Sequence, residues 1–205
     1  SAAASARSWW RNTGRRSNAH HEGTTFTKAT KASCVALRLL CLRFRGDFLI
    51  AIIALGSNLG DRRARLDAGL AALKTLGAVM PSPLVMETPD ESGRGPAYLN
   101  TVARLVTELE DPRRLLEALL HLERAQGRDR AAGRNAPRTL DLDLITTDGG
   151  TGHWSWDTPQ DLRDALGPTL ELELPHHRAF TRPFVLEPWR LLDDPGPCQG
   201  VVPKR

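Results

Sequence analysis

Strand-like and helix-like segments follow one another in the order strand, helix, strands, helix, strand. This order predicts an α+β domain of two layers, with helices covering one face of a largely antiparallel sheet. Three observations carry that prediction. A continuous apolar run, Phe48 to Leu55, stops at the turn signal Gly56-Ser57-Asn58. Leucines recur at helical spacing in two separate stretches. Further apolar runs near residues 98–109 and 140–145 have the length of strands.

Taken in order, Phe48 to Leu55 reads as a buried strand. Leu66, Leu70, Leu73 and Leu76 then mark one face of a helix, with Gly77 placed to stop it. Val79 to Thr88 reads as a broken extended segment, and Asp90 to Pro96 as a polar, glycine-rich loop. Tyr98 to Leu109 reads as a strand whose alternation is imperfect at Val102, Arg104 and Val106. Asp111-Pro112 opens a second helix, Asp as N-cap and Pro at the first helical position. Its apolar stripe is Leu115, Leu116, Leu119 and Leu122, and Gly127 lies just past its end. Residues 128–139 form a basic loop holding Gly133 and Pro137, and Leu140 to Ile145 is the next strand. Thr146 to Leu170 is the least legible stretch, with Gly149-Gly150, Trp154, Trp156 and a short helix expected near Gln160 to Leu166. Pro175 to Trp189 mixes His, Arg and apolar residues.

Charge divides the chain in two. Residues 1–46 hold nine Lys or Arg and one acid, Glu22, so the formal charge of +4 belongs to that segment and the remainder is net acidic. A nucleic-acid reading built on overall basicity therefore fails, and no nucleic-acid partner is expected. Residues 1–47 are rich in Ser, Ala, Arg and Thr, which predicts a basic, disordered leader. A transit-type segment, or translation starting further along, fits the same composition. Residues 48–205 form the expected domain. Three cysteines, Cys34, Cys41 and Cys198, are odd in number and far from any His cluster, so neither a disulfide framework nor a zinc site follows. The longest apolar run is well short of the roughly 20 residues of a membrane helix, and no membrane partner is expected. A cytoplasmic monomer is the expectation, with organellar targeting by residues 1–47 left open.

The sharpest chemical signal is Asp141-Leu142-Asp143-Leu144-Ile145. On a strand, alternate side chains share a face, so both carboxylates project together while Leu142 and Leu144 turn to the core. Paired carboxylates suit a hard divalent cation bridged to phosphate oxygens, although an isolated Asp-x-Asp is more often a solvated sheet face. Upstream stand Arg128, Arg130, Arg134 and Arg138, whose planar forks suit phosphate. A cationic loop beside an acidic strand is what a metal–polyphosphate site needs; a solvated basic loop paired with surface acids is the plainer alternative. No G-x-x-x-x-G-K-[ST] run occurs, so this is not a P-loop. In Pro175-His176-His177-Arg178, adjacent histidines point apart and have no zinc-spaced companions, which favours a phosphate contact or an ordinary surface pair over a metal site.

Together these motifs resemble the 6-hydroxymethyl-7,8-dihydropterin pyrophosphokinase family. The resemblance rests on Ala54-Leu55-Gly56-Ser57-Asn58-Leu59-Gly60, Glu87-Thr88-Pro89, Tyr98-Leu99-Asn100 and Gln126-Gly127-Arg128. The signature Pro137-Arg138-Thr139-Leu140-Asp141-Leu142-Asp143 follows, then Pro175-His176 and Phe184-Val185-Leu186. It spans about residues 49–190. The resemblance implies a ferredoxin-like fold and transfer of diphosphate from ATP to hydroxymethyl-dihydropterin, releasing AMP, in folate biosynthesis. It also implies two Mg²⁺ ions on Asp141 and Asp143, with Arg128 and Arg138 on the phosphates and Asp141 beside the reacting hydroxyl. Asn58, Thr88, Pro89, Tyr98, Asn100 and Phe184 are implied to frame the pterin, and Glu123, Arg130, His176 and Arg182 the nucleotide. The chain departs from the family at Ala131, Asn135, Glu171 and His177, and carries extra length around residues 149–166. The competing reading is a catalytically weakened relative that binds nucleotide or pterin as a module.

Overall fold

The computed structural model describes residues 48–90, 93, 95–128 and 138–193. Expectations for the basic leader, and for Arg130, Ala131, Gly133, Arg134, Asn135 and Pro137, lie outside the described residues. The chain runs β1 (Leu49–Ser57), α1 (Arg62–Leu73), β2 (Gly77–Pro81), β3 (Met86–Thr88), β4 (Tyr98–Thr107) and α2 (Pro112–Ala125). It continues as β5 (Asp141–Thr147), β6 (Gly152–Asp157), α3 (Arg163–Leu166), β7 (Thr169–Leu174) and α4 (Pro183–Asp193). A 3-10 turn, Ala179–Thr181, precedes α4.

The strands β2-β4-β1-β5 lie side by side in that order, every pair antiparallel, with β3 also paired to β4. Central β1 and β4 exchange partners over their full lengths, from Leu49 opposite Thr107 to Ser57 opposite Leu99. This is the expected α+β architecture, with the ferredoxin-like crossing of two strand–helix–strand halves. Both helix starts obey local chemistry. Asp61 accepts a hydrogen bond from the Ala64 N–H at 3.0 Å, and Asp111 accepts one from the Arg113 N–H at 2.9 Å, with Pro112 next in line. Gly127 takes φ 82°, a backbone region that suits a residue without Cβ, just past α2. Gly77 does not cap α1. The helix ends at Leu73, and Gly77 opens β2, where an added Cβ would run into the Val106 carbonyl.

Two cores explain the imperfect alternation on β4. Ala51, Ile53, Leu55, Ala103, Leu105, Leu142 and Leu144 face α1 and α2, meeting Leu66, Leu73, Leu115 and Leu119. Ile52, Val102 and Ile145 face the other way, against Ala179, Val185, Trp189 and Leu192. Helix cover is thus not confined to one face: α4 packs over part of the second, so β1 and β4 are buried on both sides.

The segment 149–166, where extra length was expected, supplies one strand, β6, of a second, two-stranded sheet that β7 completes. Trp154, Trp156, Leu170, Leu172 and Leu174 turn inward along it, alternating with outward polar residues. Trp156 donates to Glu117 of α2 at 2.8 Å, and Leu162 and Leu170 bury against Leu120 of α2. The short helix expected near Gln160 to Leu166 is α3. Among the described residues no helix is long and apolar enough to cross a membrane.

Candidate functional site

Beyond the part of the second face that α4 covers, the strands floor a cleft of about 960 Å³. Register builds its centre. Gly56 of β1 sits between Asn100 on β4 and Asp141 on β5, and Ala54 sits between Val102 and Asp143. Direct partners in an antiparallel sheet share a face, so Asn100, Asp141 and Asp143 converge across one glycine and one alanine. A Cβ at Gly56 would come within 3.1 Å of the Asn100 side-chain oxygen, so a larger residue there would close the floor. Both aspartates line the cleft and Leu142 and Leu144 lie in the core, as alternation requires.

The charged groups are linked. Glu123, only 1% exposed at the end of α2, accepts the Leu142 backbone N–H at 2.7 Å and the Arg128 guanidinium at 2.6 Å. Arg128 also donates to Asp141, through Oδ1, and Arg138 donates to its Oδ2 at 2.5 Å. Burial works to raise the Asp141 pKa, but the two guanidinium groups outweigh it and hold the carboxyl below the usual range. At Asp143 burial, then the neighbouring Asp141 and Glu123 charges, push the pKa up to about 7. The Arg182 and Arg128 charges also pull downward there but do not prevail. Among the described residues six carboxylates and four guanidinium groups line the cleft.

Every expected site residue that the structure describes, except Asn58, lines this one cleft: Thr88, Pro89, Tyr98, Asn100, Glu123, Arg128, Arg138, Asp141, Asp143, His176, Arg182 and Phe184. Asn58 is buried beside it. Its side-chain oxygen accepts the Arg138 N–H at 2.6 Å, its own N–H donates to the Arg138 carbonyl at 3.1 Å, and its amide reaches Pro96 at 3.3 Å. It therefore holds the segment before β5 that presents Arg138. Asn100 donates to the Thr88 hydroxyl at 2.9 Å, and the Arg182 guanidinium lies 5.4 Å from the Phe184 ring centre. Burial, followed by the His177, Arg182 and Arg178 charges, lowers the His176 pKa, and its Nδ1 accepts the Arg178 N–H at 3.2 Å.

Sequence reasoning missed Asp90, Thr101, His153, Glu173 and Arg178, which also line the cleft. His153 and Glu173 reach it through the β6–β7 pairing, where they stand directly opposite. No short motif marks such a pair.

Does the donor set fit a divalent cation? Among the described residues no cluster of three or more His, Cys, Asp or Glu forms a ready-made cage. Asp143, however, lines the cleft with no hydrogen bond or ion pair from a described residue, next to a second carboxylate. That is an unmet demand for positive charge. Mg²⁺ characteristically takes one or two carboxylates and completes its shell with water and phosphate oxygens, so the fit is good.

A family model for 7,8-dihydro-6-hydroxymethylpterin-pyrophosphokinase matches residues 52–194. The chain is similar to the 2-amino-4-hydroxy-6-hydroxymethyldihydropteridine pyrophosphokinase of Pseudomonas aeruginosa, 37% identical over 139 residues, covering 66% of this chain and 75% of the relative. The Mycobacterium tuberculosis enzyme of the same name is 33% identical over 142 residues, covering 69% and 71%. A folate synthesis bifunctional protein of Arabidopsis thaliana is 34% identical over 139 residues, covering 67% of this chain but 25% of that longer protein. A solved HPPK-DHPS structure with substrates superimposes with TM-score 0.51 at 14% identity, over 68% of this chain and 39% of the other, which supports the fold.

Proposed function

The chain belongs to the 7,8-dihydro-6-hydroxymethylpterin-pyrophosphokinase family, and from that premise we propose how its cleft performs the reaction. The protein is a pyrophosphokinase: diphosphate passes from ATP to the hydroxymethyl group of hydroxymethyl-dihydropterin, and AMP leaves. The carrying observation is the convergence of Asp141, Asp143, Arg128 and Arg138 in one cleft, with Asn100 on the far side of β1.

Pterin binds at the β3 side, where Thr88, Pro89, Tyr98 and Asn100 supply polar contacts and Phe184 an aromatic face. Burial raises the Tyr98 pKa, so its phenol stays a donor at neutral pH. Triphosphate lies over β5, against Arg128, Arg138, His176 and Arg182. The nucleoside extends towards β7. Asp141 and Asp143 hold two Mg²⁺ ions, which when bound neutralise phosphate charge. No covalent enzyme intermediate is needed. The pterin hydroxyl oxygen attacks the β-phosphorus, the bond to the α-phosphate oxygen breaks, and the hydroxyl proton passes to Asp141 or to water. Arg128 and Arg138 exchange Asp141 for phosphate oxygens as the nucleotide arrives, and Glu123 keeps Arg128 aimed throughout. This residue assignment is tested by incubating protein, Mg–ATP and hydroxymethyl-dihydropterin and measuring AMP. Wild type should release AMP in step with the pterin diphosphate. Asp143→Asn should lose at least about a hundredfold in turnover with its circular dichroism unchanged. Near-normal turnover of that variant at saturating Mg²⁺ would refute the metal assignment.

A further inference from the structure

The two ends of the cleft differ in chemistry. The β3 end is neutral and hydrogen-bonding, apart from Asp90. The β7 end brings the apolar residues Leu116 and Leu120 of α2 beside two carboxylates on the outward row of β7, Glu171 and Glu173. Glu173 has imidazole neighbours: the His177 Nδ1 stands 3.5 Å away and His153 lies opposite it on β6. Glu171 stands opposite Ser155, and no hydrogen bond or ion pair from a described residue reaches its carboxylate.

An anion in that position repels phosphate, so it serves some other part of the nucleotide. Between an apolar base and its phosphates lies the ribose, whose adjacent 2′ and 3′ hydroxyls are neutral donors. A carboxylate has two oxygens and acceptor capacity only, and is a known partner for such hydroxyls in other nucleotide sites. We infer that Glu171 is a specificity-determining residue that accepts the ribose hydroxyls of the nucleotide and so selects ribonucleotides over 2′-deoxyribonucleotides. The inference rests on the nucleotide reading of the cleft given above and goes beyond it by assigning a sugar contact. Glu173, already shared with His177, is the less suitable acceptor.

The test measures dissociation constants of Mg–ATP and Mg–2′-deoxy-ATP by calorimetry, with AMP formation followed in parallel. A charge-assisted hydrogen bond at a partly exposed site predicts about tenfold weaker binding of the deoxynucleotide to wild type. In Glu171→Ala the ratio should fall to about two or less, chiefly because ATP binding weakens; Glu171→Gln, with one acceptor left, should lie between. A wild-type ratio near one, or an unchanged ratio in Glu171→Ala, overturns the inference. So does an intact ribose ratio with loss of ATP-over-GTP preference, which would place the carboxylate on the base. Failure of the parent reading looks different. Wild type binding neither nucleotide would sink both, whereas ATP bound without AMP release would sink the transfer reaction alone and leave the ribose ratio decisive.

Discussion

A single side chain can be read in isolation only so far. The alternation Asp141-Leu142-Asp143 was legible because strand geometry alone fixes it. That Asp141 is gripped from both sides while Asp143 is not was illegible, since the difference lies in where Arg128 and Arg138 aim their guanidinium groups. His176 shows the same limit: the sequence left it between a phosphate contact and a surface residue, whereas the structure half-buries it with Nδ1 accepting a backbone N–H. Its folded pKa is depressed, so the unfolded chain takes up the proton first. Its contribution to stability is therefore complete above the unfolded value of about 6.5 and is lost as pH falls through the lower folded one. His176→Asn, which keeps an acceptor but no titration, should flatten the fall in urea midpoint between pH 7 and pH 5. An equally steep fall in the variant would show that His176 is not the group responsible.

At the level of elements, helices with strong caps and unbroken leucine stripes were readable, and α1, α2, β1, β4 and β5 all form where expected. Helix α4 was not, because Pro188 inside it weakens its helical signal while Ala179, Trp189 and the sheet supply burial that propensity cannot register. Strand β6 escaped because its period of two, inward Trp154 and Trp156 against outward His153, Ser155 and Asp157, is only six residues long and starts at a glycine. One close approach couples an element to the chemistry. Gly69 of α1 is buried where an added Cβ would stand 2.8 Å from a methyl of Leu140, the residue before Asp141. Leu140 is fully buried and has little room to yield. Alanine's better helix propensity, about 1 kcal/mol over glycine, opposes an overpacking cost of about 1–3 kcal/mol. Gly69→Ala should therefore lower stability by roughly 1 kcal/mol and depress turnover through displacement of Asp141. A higher urea midpoint with full activity would show that α1 shifts to make room.

Across the whole molecule, the site depends on an uneven distribution of cover: α1 and α2 seal one side of the sheet, and α4 leaves part of the other open for two substrates. Nucleotide binding should stabilise the described domain as a unit. At a hundred times its dissociation constant, Mg–ATP contributes about 2.7 kcal/mol, a rise of roughly 5–10 °C in Tm for a domain of this size. ATP with excess chelator should give little of that rise, and an equal rise without the cation would mean that the aspartates take no part in binding. The reason lies in the surplus of carboxylates over guanidinium groups along the cleft. A bare triphosphate approaching that wall meets like charge and must also prise the arginines from Asp141, while a solitary cation finds Asp143 but only water in place of phosphate oxygens. Neither is welcome alone, so the cleft behaves as a coincidence gate that registers nucleotide and metal only when they come together.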